Sequence, residues 1–209
     1  MPGLGAGSKI FEYINLPKSD YEFHFLDWLI PESIDESLEN YTKRLCQKIE
    51  YENPILIGVS FGGIIVQEMN EVIRPQKTII ISSVKSNTEF PKRMKFLKLS
   101  GAYKLIPARR ISNMENFSKF GFGNSLKKKT ELYNKYLEIK DEKYLNWAIF
   151  NLLHWNPNNS VNNIFHIHGS EDEIFPIKYI KNCIEIKGGS HAMIITKAKR
   201  INRILKEII

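Results

Sequence analysis

The sequence predicts an α/β protein whose mostly parallel sheet carries helices on both faces. Two kinds of observation predict it. Apolar runs rich in branched residues, at 55–59 and 77–84, have the length and composition of buried parallel strands. After each strand pattern the period changes: Ile65, Met69 and Val72 recur at steps of four and three, and Ile194, Ala198, Ile201, Leu205 and Ile208 do the same near the C-terminus. Those steps place apolar side chains on one helix face. Alternating strands and helices are what a parallel sheet requires, because each crossover needs a connection long enough for a helix.

Taken in order, the chain opens on a glycine-rich stretch, residues 1–8, followed by a short helical segment at 9–14. A dinucleotide-binding loop is excluded there, because Ser8 occupies the place of the third glycine and no strand precedes it. Residues 21–28 read as a strand with Phe23 and Phe25 on one face. A helix is predicted from Ser33, with Leu38, Leu45 and Ile49 inward and Asp35, Glu36 and Glu39 in the first turns, where the helix dipole favours acids. The strand at 55–59, its helix and the strand at 77–84 follow. From 85 to 156 the alternation stops: residues 97–105 and 132–149 have helical patterns, and 117–122 is aromatic. A strand at 161–167, a loop with carboxylates, a short strand at 183–187 and the closing helix complete the chain.

The chemistry-bearing residues lie where strands end. Gly58-Val-Ser60-Phe-Gly62 joins a strand to a helix with no intervening loop. So sharp a turn strains its apex and brings the flanking positions together, so Gly58 and Gly62 are needed to avoid collision. Ser60 is left exposed beside the free N–H groups of a helix N-terminus. A serine hydroxyl needs a base near neutral pKa, and imidazole needs a carboxylate to fix its tautomer. The strand at 161–167 leads to His168-Gly-Ser-Glu-Asp172, with Pro176 opening the next segment, and the strand at 183–187 leads to Gly188-Gly-Ser-His191. In an open α/β sheet such strand ends share one edge, so distant residues can converge there.

These motifs resemble those of the α/β-hydrolases: the nucleophile elbow G-x-S-x-G, the HG-x-x-D-x-x-x-P segment and a histidine after the last strand, in the order nucleophile, acid, base. The resemblance implies a three-layer α/β-hydrolase fold, with Ser60 as nucleophile, Asp172 as acid and His191 as base. It implies backbone N–H groups of Leu4 and Phe61 as the oxyanion hole. It implies a core of 1–84 and 157–209 and a helical lid at 85–156, whose Phe117, Phe120, Phe122, Tyr133 and Trp147 would line a substrate pocket. The strand that delivers the Leu4 loop in that pattern has no counterpart before Met1, so the leading strands are expected to be missing. The implied activity is hydrolysis of a carboxylic ester or similar acyl bond in a small-molecule substrate, with no cofactor.

Composition narrows the alternatives. The net charge of +7 is concentrated between Lys85 and Lys143, where fifteen Lys or Arg face six acidic residues. A basic insert on a near-neutral body argues against a nucleic-acid partner but suits an anionic acyl carrier, so a thioesterase is a second reading. A non-catalytic binding protein on the same scaffold is a third. Cys46 and Cys183 have no neighbours at metal-ligand spacing, and His166 and His168 lack a third ligand, so no metal is expected. No run reaches the roughly 18 apolar residues that span a bilayer and no signal peptide opens the chain, so the expected location is cytoplasmic. The sequence leaves the oligomeric state open.

Overall fold

The computed structural model describes residues 1–17, 21–105, 135–157 and 163–209. Within them four strands form one parallel sheet in the order β1 (Ile55–Val59), β2 (Lys77–Ile81), β3 (Ile164–Gly169), β4 (Ile184–Ile186). Gly58 lies opposite Ile80, Ile80 opposite His166, and Gly169 opposite Ile186. The carboxyl ends of the strands are thereby brought to one edge.

Alternation within the strands builds two apolar layers. Leu56 and Ile80 face a core made by α1 (Leu38–Cys46), α2 (Phe61–Ile73) and α4 (Glu142–His154), while Ile79, Ile81 and Ile167 face α5 (Met193–Thr196) and α6 (Ala198–Ile208). A further helix, α3 (Lys92–Ser100), lies between β2 and α4 in sequence and buries none of its own residues. α2 is apolar on most of its surface because it is covered by the sheet on one side and α1 on the other; Phe61, Ile64, Ile65 and Met69 are fully buried. In α6 the predicted stripe is the buried one: Ile201 and Leu205 are inaccessible, each worth about 1.5–3 kcal/mol of transfer free energy.

Several boundaries depart from the sequence reading. Residues 21–28 are not a strand, and Phe23 and Phe25 lie exposed. The side chains that anchor this segment are Trp28, whose indole N–H donates to Gly3 O at 3.0 Å, and the partly buried Leu26. Alternation of aromatic and polar residues therefore lacked the ladder partner that a strand needs. The helix expected from Ser33 begins at Leu38, because Ser37, not Ser33, caps it: Ser37 Oγ accepts from Asn40 N at 3.1 Å. Glu36 consequently lies outside the helix, buried against Arg44 at 2.7 Å. β2 ends at Ile81, three residues early, and residues 9–14 make only a 3-10 turn, Ser8–Phe11. The closing helix is split at Lys197 into α5 and α6.

Residues 85–156 contain α3, the 3-10 turn Ala102–Leu105 and α4. Phe117, Phe120, Phe122 and Tyr133 lie outside the described residues. Trp147 does not line a pocket: it is fully buried, packs on Tyr41 and Phe61, and donates its indole N–H to Glu36 O at 2.7 Å. Trp155 is likewise buried, bonded to Glu68, and His154 stacks on Phe150. Both serve packing.

Candidate active site

The elbow is built by steric necessity. Ser60 has φ 53° and ψ −119°, a strained conformation for a residue with a side chain. A Cβ on Gly58 would lie 2.3 Å from Gly62 O, and one on Gly62 would lie 2.2 Å from Pro2 O. The turn exists only because both positions lack side chains. It is buttressed from β2 and the residues after it: Ser60 N–H donates to Ile81 O at 2.9 Å, and the Ser83 hydroxyl donates to Ser60 O at 2.7 Å.

Two other strand ends bring their side chains to the same place. His191 Nε2 is 3.0 Å from Ser60 Oγ, and His191 Nδ1 is 2.8 Å from Asp172 Oδ2. Asp172 is buried, and its other oxygen accepts from Ile174 N–H at 2.8 Å and Phe175 N–H at 2.9 Å. An acceptor-only carboxylate assigns the imidazole proton to Nδ1 and leaves the Nε2 lone pair for the serine hydroxyl. The loops bearing acid and base are locked together: Glu171 N–H donates to Gly189 O at 2.9 Å, and a Cβ on Gly169 would lie 2.1 Å from that same oxygen. Gly188, at φ +67°, turns the chain toward His191. The Phe175 ring stands edge-on to His191, with centroids 5.6 Å apart.

Leu4 lies in a loop that abuts the elbow. A Cβ on Gly3 would sit 3.5 Å from Ser60 Cβ, and Gly5 N–H donates to Tyr144 Oη at 3.3 Å. The segment before it adds to the sheet edge: Met1 N donates to Ile57 O at 2.7 Å and Val59 N–H to Met1 O at 3.1 Å, a parallel rung opposite Gly58. Neither Leu4 N–H nor Phe61 N–H bonds to another described residue. Ser60 and Asp172 are thus each in hydrogen-bond reach of His191, which stands between them, and the loop bearing Leu4 and the helix opened by Phe61 adjoin the serine.

Four contributors were not singled out as site residues. Ser83 braces the elbow. Arg93, on α3, donates its guanidinium to Glu173 O and to Ile174 O, the latter at 3.1 Å, holding the acid loop; burial lowers its pKa despite Asp172 nearby. His168 and His166 are buried behind Asp172: His168 Nε2 is 2.8 Å from Phe175 O and 3.6 Å from Asp172 Oδ2, and His166 Nε2 is 3.1 Å from His168 Nδ1. Burial drives the His166 pKa down to about 2, with His168 and Lys85 adding to the shift, and burial also lowers that of His168. Only the H-G doublet hinted at His168, and nothing local marked Arg93 or Ser83. His24, by contrast, is at the surface with Glu22 and Tyr51.

No protein-family model matches the chain, and no curated protein matches its sequence. Solved structures do resemble it. A hydrolase from Pseudomonas aeruginosa superposes with a TM-score of 0.72 at 12% identity, covering 100% of this chain and 87% of the other. An esterase from Exiguobacterium antarcticum gives 0.67 at 13%, covering 99% and 91%, and an epoxide hydrolase from Bacillus megaterium gives 0.60 at 14%, covering 99% and 90%. The parallel sheet, its two helical layers and these likenesses define the architecture: the chain has the α/β-hydrolase fold.

Proposed function

We propose that the protein is a serine hydrolase that cleaves a carboxylic ester or similar acyl bond through an acyl-enzyme on Ser60. The observation that carries this reading is the unbroken hydrogen-bond chain from Ser60 Oγ through His191 to a buried Asp172, at 3.0 and 2.8 Å. Ser60 Oγ attacks the carbonyl carbon as its proton passes to His191 Nε2. The carbonyl π pair moves onto oxygen, where the free N–H groups of Leu4 and Phe61 are its donors; such a pair is worth several kcal/mol in the transition state. Collapse expels the alcohol, which takes the proton from His191. Water, deprotonated by the same imidazole, then releases the acid. Asp172 stays ionised throughout and stabilises imidazolium.

In this reading residues 85–156 form a lid over the site, fastened to the acid loop by Arg93. A thioesterase acting on an anionic acyl carrier is the second reading, favoured by the exposed Lys92, Lys95 and Lys98 of α3. A salt-sensitive preference for acyl-CoA over neutral esters would select it. The deciding experiment is labelling by a fluorophosphonate beside a panel of p-nitrophenyl esters from acetate to palmitate. Wild type is expected to label and to turn over at least one ester, and Ser60→Ala to lose both, with kcat down at least about 10⁴-fold. A folded wild type that does neither, or a Ser60→Ala variant that still labels, overturns the proposal.

A further inference from the structure

Although α3 buries none of its residues, one side of it is fastened to the body of the protein. Met94 and Leu97 pack against the core, and Arg93 donates to Glu173 O and Ile174 O in the acid loop. Those three contacts fix the rotation of the helix about its axis, so the remaining positions face outward. Lys92, Lys95, Phe96 and Leu99 then form one outward stripe, at i, i+3, i+4 and i+7. Phe96 is 67% exposed and Leu99 84%, the two most exposed large apolar side chains among the described residues. Lys98 is exposed beside Leu99. Among the described residues none of the three lysines has a carboxylate in ion-pair reach, and Lys95 Nζ meets only Thr88 O, at 3.5 Å. The basic character also extends along the sequence: from Phe90 to Met114 there are seven Lys or Arg and no Asp or Glu.

We propose that α3 docks on an anionic membrane surface, with Phe96 and Leu99 entering the headgroup layer while Lys92, Lys95 and Lys98 meet lipid phosphates. Charge complementarity alone would admit any acidic partner, including the anionic acyl carrier considered above. Such a partner accounts for the lysines but leaves Phe96 and Leu99 in water. A lipid surface takes both kinds of side chain. Its acyl boundary removes the apolar pair from water, and ammonium groups on flexible four-carbon stems reach back to the phosphates from the same helix face. Because lysines and apolar residues share one stripe, a single orientation, with the helix axis along the surface, satisfies them all. The binding is peripheral: nine residues make about 13 Å of helix, under half of the roughly 30 Å apolar layer. No described helix is long and apolar enough to cross it. Arg93 carries the consequence inward, since its grip on the acid loop holds the strand-end edge bearing Asp172 close to the docked helix.

The docking does not depend on the hydrolase reading, and its test uses no substrate. The full chain is sedimented with vesicles of phosphatidylcholine, alone or with about one quarter phosphatidylglycerol, at low and high salt. Wild type is expected to partition onto the anionic vesicles at least about tenfold more strongly than onto neutral ones, and less strongly in high salt. The double variant Phe96→Ser, Leu99→Ser should weaken that partitioning at least about tenfold. The triple variant Lys92→Gln, Lys95→Gln, Lys98→Gln should weaken it about a hundredfold, at roughly fivefold for each lysine. Urea midpoints near wild type establish that the variants are folded, as their exposed positions predict. Should the double variant not fold, Leu99→Ser alone carries the same readout, with a loss of at least about threefold expected. A wild type that ignores anionic vesicles, or binds neutral ones equally well, overturns the proposal. So does a folded Phe96→Ser, Leu99→Ser protein that partitions like wild type, which would reduce the effect to general surface charge. Concentration-dependent self-association in vesicle-free sedimentation, lost in Leu99→Ser, would assign the stripe to a second copy of the chain and also overturn it. A wild type that partitions as expected yet does not react with the fluorophosphonate refutes only the hydrolase reading.

Discussion

The elbow at 58–62 and the segment at 21–37 lie within one core, yet they are held in different ways. At the elbow, geometry is forced by what is missing: backbone passes so close that any Cβ at Gly58 or Gly62 would enter another residue's carbonyl. At 21–37 the chain is held by a few distant anchors, namely Trp28 on Gly3 O and the Tyr41 hydroxyl, which bonds both Leu29 N–H and Leu29 O at 2.9 Å. Local steric constraint leaves its mark in neighbouring residues of the sequence. Long-range anchoring does not, because the partner can lie anywhere along the chain.

The contrast is most sharply broken at Gly62. Gly62→Ala places a methyl 2.2 Å from Pro2 O and 2.6 Å from Met1 O, so the elbow or the loop over it must move. We expect a loss of more than about 4 kcal/mol in urea denaturation, or no folded protein. Near wild-type stability would mean that the elbow tolerates a side chain and that its glycines are not required.

The next effect separates buried charge chemistry from packing. His166 protonates near its ordinary pKa when unfolded but only at about 2 when folded, through burial first and the neighbouring His168 and Lys85 second. Below about pH 6.5 the unfolded chain therefore binds a proton that the native state refuses. Stability is fully present above that pH and falls by about 1.4 kcal/mol per pH unit below it for each such histidine. Denaturation midpoints at pH 7, 6 and 5 should show this slope, and His166→Phe should flatten it. A slope that is the same in both proteins would remove His166 as its source.

The same distinction explains what was legible. The strand at 55–59, the strand read at 161–167 and found at Ile164–Gly169, the elbow, and the separate serine, aspartate and histidine motifs could be read because each depends on residues within about ten positions. The start of α1 was misplaced because two serines compete as caps, and it is Ser37 whose hydroxyl accepts from Asn40 N–H. Trp147 was taken for a lid residue, since an aromatic on a helix carries no label for which side will be covered; Tyr41, Phe61 and Glu36, far off in sequence, decide it. Arg93 and Ser83 were invisible for the same reason: each acts through a backbone carbonyl, which leaves no trace in side-chain identity.

Trp28 joins the two regions, and its substitution should be felt at both. Trp28→Phe keeps an aromatic ring between Phe61 and Tyr144, whose centroids each lie 5.3 Å from that of Trp28, but removes the N–H that holds Gly3 O. Gly3 O keeps the Ala6 N–H at 3.0 Å, so losing the indole donor is expected to cost about 0.5–1.5 kcal/mol. Because Leu4 follows Gly3, ester turnover should also fall through kcat more than KM. Stability loss with unchanged kcat would detach the loop from catalysis.

The smallest effect sharpens the comparison from the other side. Phe25 looks from its sequence context like half of a buried strand face, but it is 54% exposed and, among the described residues, its ring stacks on the partly buried Phe11 alone, with centroids 6.0 Å apart. Phe25→Ser should therefore change stability by no more than about 0.5–1 kcal/mol, the range of an exposed position or one loose aromatic pair. Truncating a side chain that completes a strand-on-core face would cost about 3–5 kcal/mol. A loss of that size in urea denaturation would mean that residues 21–28 are packed in solution as their alternating pattern suggested. A small loss would leave Trp28 as the residue that fixes this stretch.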